Sequence, residues 1–494
     1  MVMEERIFRS VLWIAVFLFI FGMDRPLHSG VLGVHPTNPR YFTTNGTDAL
    51  YLAGSQAFAN INTAEVWRIY HNDDNTFEEF LDWMQAHGQN FTRLWTCWSY
   101  IKNASTGAHY SVPPFPWKRS DVGGCIDGGH KFDLTSFNQS YFDILSERVG
   151  QIQARGMYCS VMFLGSLNRN HRDFTCSIWH PDNNINKMNF DPNDYTTFYT
   201  TDTHDLDIQK MLVAKVLDTL NAYDNVMFEI ANEGLAAIAW EKALVHYAKS
   251  YESGLAKRHL IGISGYKNWT TSDAASGPHD WFSPDDKIDI DGIDFRTGGS
   301  PSYSSKPIIF DSDHYDGGIG RPYWLRSEGG DAYPAYVPGI REGLRRAWKN
   351  FCRGHHNLLL DTYECYWPLY NDNINRTVNP VYDPVRDALG KMVHYANRFD
   401  HLAKMNPSTT IANTGYCLYN PGTDYIVFQP KAGSITVQLS EGHYNYETYD
   451  IRDGSLSTDA ITAWAGEDWT VRKPSHVSEG WVLYIHITRR LPES

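Results

Sequence analysis

At 494 residues the chain is long enough for one large domain and a small one, and its 42% hydrophobic content can fill a sizeable core. A formal net charge of −14, with no run of Lys or Arg, argues against a nucleic-acid partner held through phosphates. Aromatic residues reach 14% against only 20% charged; most of that excess serves core and strands, and flat rings also suit the faces of sugars.

The chain opens with Met1-Val-Met-Glu-Glu-Arg-Ile-Phe-Arg9, followed by an uncharged apolar run from Val11 to Met23. The run is short for a bilayer span and has basic residues before it. Residues 1–30 are therefore predicted to be a secretory signal, with a retained anchor as the alternative, and the protein is expected to be secreted. No later stretch is long and apolar enough to cross a bilayer.

Short apolar runs then alternate with helix-like segments, the signature of a parallel sheet with helical crossovers. Strands are expected to end near Gly54, Trp95, Leu164, Asn232, Ser264, Trp281, Asp311 and Asp361, with Lys287–Phe295 competing for the sixth place. Phe142, Leu145, Val149 and Ile152 recur at helical spacing before Gly156, and Trp240, Leu244, Tyr247 and Tyr251 do the same further on. Strands and helices in this order predict an α/β fold, a closed (β/α)8 TIM barrel over residues 31–400. Two long segments, about Cys97 to Asp133 and Ser166 to Asp205, follow strands and should be enlarged loops on the catalytic face.

Composition changes after about Asp400. Tyr425–Gln429, Ser434–Leu439 and Trp481–Ile487 read as strands, and Pro421-Gly422, Lys431-Ala-Gly433 and Asp453-Gly454 supply turns. Residues 401–494 are thus expected to form a small all-β sandwich. Its closely spaced Tyr444, Tyr446 and Tyr449 suit either an interface or glycan contact.

Seven cysteines without a Cys-x-x-Cys are too sparse for a disulfide scaffold. Cys159 reads as a core residue, while Cys125 and Cys176 lie in loop-like sequence and could pair after export. Six Asn-x-Ser/Thr sites occur, and Asn90 among them is expected to enter a buried strand.

The chemistry concentrates at two strand ends. Asn225-Val-Met-Phe-Glu-Ile-Ala-Asn-Glu-Gly234 is an apolar run closing on Asn232 and Glu233. At the mouth of a barrel Glu233 can protonate a glycosidic oxygen, and the Asn232 amide can bind a sugar hydroxyl. An isolated Asn-Glu would instead read as a carboxylate at a helix N-terminus. Glu229, inside the run, reads as a buried, partnered acid supporting the site. The second end, Lys306-Pro-Ile-Ile-Phe-Asp-Ser-Asp-His314, offers Asp311, Asp313 and His314. Its carboxylate can act as nucleophile when about 5 Å from the acid, or as base when further away. Asp313 is preferred, although strand alternation puts Asp311 on the same face.

Arg93 could orient a carboxylate, bind a hydroxyl or form a buried salt bridge. Trp95, Trp98, Trp179, Trp281, Trp324 and Trp367 are candidate stacking platforms, each open to a packing role instead. Asp361 is a candidate acceptor for a sugar hydroxyl. Asp311 to Gly317 misses the calcium-loop spacing, so no metal is assigned. There is no Gly-x-Ser-x-Gly, His-Glu-x-x-His, phosphate-binding or dinucleotide-binding glycine motif, and no cofactor is expected.

The order of Asn38-Pro-Arg-Tyr-Phe42, Tyr51-Leu-Ala-Gly-Ser55, His87-Gly-Gln-Asn-Phe-Thr-Arg-Leu-Trp95 and Glu229-Ile-Ala-Asn-Glu233 resembles clan A (β/α)8 glycoside hydrolases. Asp280-Trp-Phe-Ser-Pro284, Asp311-Ser-Asp-His314, Trp348-Lys-Asn-Phe-Cys-Arg-Gly354 and Ala412-Asn-Thr-Gly-Tyr-Cys-Leu418 narrow the resemblance. They point to the cellulase-like group whose barrel carries a C-terminal collagen-binding-type β-sandwich. The resemblance implies that Glu233 matches the acid/base of a retaining mechanism and the strand-seven carboxylate its nucleophile. Two departures stand out: the clan usually has Glu on strand seven, where this chain has Asp with Glu328 as an alternative, and Gln56 and Phe58 replace a common His and Trp after strand one. The expected activity is hydrolysis of O-glycosidic bonds in a poly- or oligosaccharide. A glycan-binding barrel without turnover, and a carbohydrate esterase or lyase, are the competing readings.

Overall fold

A computed structural model describes residues 30–57, 76–96, 101, 105, 113–164, 174–231, 237–265, 276–284, 305–312, 338–361, 383–464, 467–475, 477 and 480–490. The predicted N-terminal signal lies outside them; no helix among the described residues is long and apolar enough to cross a membrane.

Eight parallel strands form the body: β1 (Ala53–Gln56), β2 (Phe91–Trp95), β3 (Tyr158–Leu164), β4 (Val226–Ala231), β5 (Ile261–Gly265), β6 (Trp281–Pro284), β7 (Ile309–Ser312) and β8 (His356–Leu360). Strands β2 to β6 make one curled sheet, and β7, β8 and β1 make a second. Both seams are closed by hydrogen bonds: Asn90 N–H donates to the Ala53 carbonyl at 3.0 Å, and Phe282 N–H donates to Pro307 at 3.1 Å beside a parallel bridge from Phe282 to Ile308. Burial on both faces explains why these strands read as continuous apolar runs rather than alternating ones.

Helices α1 (Phe77–Ala86), α2 (Gln139–Ala154), α3 (Thr203–Leu220), α4 (Ile238–Glu252), α5 (Pro338–Cys352) and α6 (Asp383–Arg398) cover the outside. Helix α1 starts at a capping box, Thr76 with Glu79, and buries Phe77, Phe80, Leu81 and Met84, one stripe of its surface. Helix α2 buries Phe142, Leu145, Val149 and Ile152, and Gly156 follows with φ of 70° where the chain turns into β3. On α4, Trp240 and Leu244 are buried, with Tyr247 and Tyr251 packed at the edge of the same core.

The bottom of the ring is plugged. Leu32 and Phe42 flank and join a short antiparallel pair, Gly33–Val34 with Phe42–Thr43, and pack with the strand-start residues Leu52, Phe91, Tyr158, Met227, Trp281, Ile309 and Leu358. Trp281 therefore begins β6 rather than ending it. Its indole lies so close over Gly262 that a Cβ there would sit 2.0 Å from the ring, so only glycine fits. Propensity alone could not locate this strand, because the fit between these two residues is a tertiary feature; the competing Lys287–Phe295 lies outside the described residues.

The segment after β2 contains an antiparallel hairpin, Trp117–Gly123 with His130–Phe137, and the segment after β3 contains short 3-10 turns. These two segments pack on one another through Trp117 and Trp179, with ring centroids 4.9 Å apart.

From Asn406 the described strands are antiparallel. Strands β9 (Asn406–Ser408), β10 (Cys417–Asn420), β11 (Asp424–Gln429), β13 (Gly442–Asp450), β14 (Leu456–Ala463) and β16 (Trp481–Arg489) form one sheet in the order β9-β10-β11-β16-β13-β14. Strands β12 (Ile435–Gln438) and β15 (Asp468–Val471) pair separately. Period-two alternation splits the large sheet between two cores. Ile426, Phe428, Tyr449, Val482 and Tyr484 pack on Trp348, Tyr395 and Phe399 of the barrel side, whereas Tyr425, Val427, Leu483 and Ile485 pack with Ile435, Val437 and Val471 of the smaller pair.

Cys125 and Cys176 are buried and not joined to each other by a disulfide, and the Cys125 Sγ lies 3.6 Å from Asn183 Oδ1. Asn90 is committed to the fold: its amide accepts from Ala53 N–H at 3.0 Å and donates to the Tyr51 carbonyl at 2.9 Å.

Candidate active site

Above the apolar plug the inward positions turn polar. Moving two residues up each strand from Phe91, Met227 and Ile309 gives Arg93, Glu229 and Asp311, which share one side of their strands. These three side chains meet although β2, β4 and β7 are not neighbours in the ring. Contacts that skip strands can only be made across the interior, so the cluster lies inside the barrel.

Arg93 Nη2 donates to Glu229 Oε1 at 3.1 Å. Its Nε lies 2.9 Å from Oε2 but off the N–H line, an ion-pair contact rather than a second straight hydrogen bond. Nη1 donates to Asp311 Oδ2 on the opposite side of the ring. Neither Arg93 nor Glu229 has any exposed side chain, while Asp311 keeps 12% exposure. One guanidinium thus faces two carboxylates. Burial pushes the Glu229 carboxyl up to about 7; the Arg93 charge pulls it back down and Asp311 adds to the upward push.

A second chain of contacts runs higher in the ring. Trp95, the last residue of β2, donates from its indole nitrogen to Gln56 Oε1 at 2.9 Å, and Gln56 Nε2 donates to Asp311 Oδ1 at 2.6 Å. Arg93 also lies over the Trp95 ring, 5.7 Å from its centroid.

Of the residues expected at the site, the structure brings together Arg93, Trp95 and Asp311. Asn232, Glu233, Asp313, His314 and the alternative Glu328 lie outside the described residues, as do Phe58, Trp98, Trp324 and Trp367. In sequence, Asn232 and Glu233 come directly after the end of β4, and Asp313 directly after β7. Glu229 has the buried partner its place in an apolar run requires.

Asp361 takes a different part from the one expected. Both its oxygens face the helix layer: Arg386 of α6 donates Nε to Oδ2 at 2.9 Å and Nη2 to Oδ1 at 2.7 Å, and Ser55 adds a bond at 3.3 Å. Its carboxylate is an anchor between β8 and α6, not a group open at the mouth. Trp179 and Trp281 are likewise core residues, 3% and 0% exposed. Gln56 and Arg386 are the participants that sequence reading left without a role. The Arg386 pairing had a weak signal in Asp383, three residues before it on the same helix, to which its Nη1 also donates at 2.9 Å.

Two carboxylates and a guanidinium in the layer beneath the C-terminal end of a parallel ring can fix the groups above them, the face on which hydrolytic chemistry in such barrels is built. No protein-family profile matches the chain, and no curated protein matches its sequence. Solved structures do resemble it. One from Bacteroides vulgatus, described as a putative glycoside hydrolase, shares 14% identity at a TM-score of 0.63, covering 94% of this chain and 83% of that one. A glycoside hydrolase family 5 protein from the same organism shares 12% identity at a TM-score of 0.57, covering 93% of each chain. A third, described simply as a glycoside hydrolase, shares 13% identity at 0.57, covering 93% and 97%. At these identities the likeness is one of fold: the chain is an α/β protein similar to the TIM-barrel glycoside hydrolases.

Proposed function

We propose that the protein is a glycoside hydrolase that cleaves O-glycosidic bonds of a poly- or oligosaccharide by a two-carboxylate retaining mechanism. The observation that carries this reading is the bridge from β4 to β7. Arg93 joins Glu229 to Asp311, so the two strands followed by Glu233 and Asp313 in sequence are tied across one barrel mouth, in a fold shared with glycoside hydrolases. In this reading Glu233 protonates the leaving oxygen while Asp313 attacks the anomeric carbon. Water then cleaves the glycosyl-enzyme ester, with the Glu233 carboxylate taking its proton. Asn232, His314 and Trp95 bind the sugar, and Arg93 and Asp311 hold the polar floor beneath it. The apolar run at Val11–Met23 supports export, and the C-terminal strands form an accessory β-sandwich.

The shorter Asp on strand seven favours a second reading, a barrel that binds glycans without turnover. Incubation with a panel of plant and bacterial polysaccharides, followed by reducing-sugar release, separates the two. For a cleaved substrate, a 2-fluoro-sugar should label Asp313, and proton NMR should show retained anomeric configuration. A label on Asp311 or Glu328, or inversion, would overturn the assignment of the nucleophile while leaving the hydrolase reading intact.

A further inference from the structure

The amide of Gln56 joins the acid cluster to the aromatic edge of the mouth. Gln56 is 1% exposed, and its backbone is held as well, because its carbonyl accepts from Asp361 N–H at 2.9 Å. Its side chain reaches β2 on one side and, passing over β8, β7 on the other.

The orientation of this amide follows from its partners. An indole nitrogen can only donate, so the Gln56 oxygen must face Trp95. The NH2 group must then face Asp311, where it can only donate, which favours the ionised carboxylate. The reverse orientation would set N–H against N–H at one end and oxygen against oxygen at the other. The hydrogen bonds therefore run one way, from Trp95 through Gln56 to Asp311, and Asp311 also accepts from Arg93.

We infer that Gln56 is a positioning residue that locks the Trp95 ring and the Asp311 carboxylate into one rigid unit at the barrel mouth. Its catalytic consequence rests on the glycosidase reading. Trp95 is itself only 6% exposed, so whatever part of its ring meets a sugar does so in the plane the amide sets, and the strand-seven end keeps its place because Asp311 is held on both oxygens.

Two substitutions in the full-length protein test the unit. Gln56→Met keeps the volume and removes both bonds; Gln56→Glu keeps the acceptor for Trp95 but sets a carboxylate against Asp311. The readout is the 15N-indole spectrum, with the Trp95 signal assigned by its loss in Trp95→Phe, and thermal unfolding confirms that each variant folds. In Gln56→Met the Trp95 signal should move to the position of an indole without its acceptor, and KM for a cleaved glycan should rise roughly tenfold with kcat within about threefold.

In Gln56→Glu the facing carboxylates must share a proton. The Trp95 signal should therefore titrate at least about one unit above the ordinary carboxylate value near 4.3, with the acid limb of kcat/KM moving the same way. An unmoved Trp95 signal in Gln56→Met, or no such titration in Gln56→Glu, would overturn the inference. If wild type cleaves no glycan, the functional reading fails, yet the indole spectra still decide whether Gln56 couples Trp95 to Asp311.

Discussion

Arg93 on the second barrel strand holds Glu229 on the fourth, with Nη2 donating to Oε1 at 3.1 Å and neither side chain reaching solvent. An ion pair so deep returns little net stability once both charges have been stripped of water. Its value lies in geometry, because the same guanidinium also holds Asp311 on the seventh strand and so fixes β4 against β7. Removing it should be costly: Arg93→Met leaves the buried Glu229 and the partly exposed Asp311 without the guanidinium between them. Urea unfolding should show a loss of about 3–5 kcal/mol, the usual cost of breaking a buried pair. A loss below about 1 kcal/mol would mean that water reaches the cluster and screens it.

The raised Glu229 carboxyl has a pH signature. Its value of about 7 stands above the ordinary 4.5, so between these limits the folded protein keeps a proton that the unfolded chain has released. Stability from this group is present below 4.5 and is lost as pH rises through 7. Measured by chemical unfolding, the stability of wild type relative to Glu229→Gln should therefore fall across that window. A difference that is flat, or that grows with pH, would show that the Arg93 charge outweighs burial.

His356 acts in the opposite sense. Burial holds it down to about 3, and both ring nitrogens are used: Nδ1 accepts from Leu52 N–H at 2.9 Å, and Nε2 donates to the Arg40 carbonyl at 3.0 Å. The folded form is neutral between 3 and 6.5 while the unfolded form is charged, so stability is full above 6.5 and is lost as pH falls towards 3. Wild type should lose stability relative to His356→Gln across this window, read from unfolding midpoints in graded acid.

That Glu229 is a buried acid with a partner is legible in the sequence for a physical reason. An acid within Val226–Ala231 must have a partner, and Arg93 is the only Lys or Arg within the barrel strands described. What could not be read depends on which strands face each other. Gln56 looked like a departure from a family pattern, and its bonds to Trp95 and Asp311 exist only once β1, β2 and β7 are arranged in a ring. Asp361 carries no local mark that it faces outwards, since its partner Arg386 enters from a helix 25 residues later. Strand β14 is mostly exposed, so its polar run lacks the alternation that betrays a half-buried strand.

The C-terminal strands should not be separable from the barrel. Tyr449 packs 5.6 Å from Trp348 and Tyr484 packs 5.2 Å from Tyr395, while Glu447 accepts a bond from the Tyr395 hydroxyl and lies 3.3 Å from Arg398. A chain cut near residue 400 bares this aromatic surface, and each large side chain re-exposed costs about 1.5–3 kcal/mol. The shortened protein should aggregate or bind a hydrophobic dye. A soluble, cooperatively folding barrel would show instead that the sheet is a free accessory module.

The most direct test of the account is the turnover of Glu233→Gln on a cleaved natural glycan, set against an aryl glycoside whose leaving group needs no proton. If Glu233 is the general acid, the variant should stay folded, lose about 10²–10⁴-fold on the natural substrate, and keep most of its bond-breaking rate on the activated one. Full activity on the natural glycan would contradict the account.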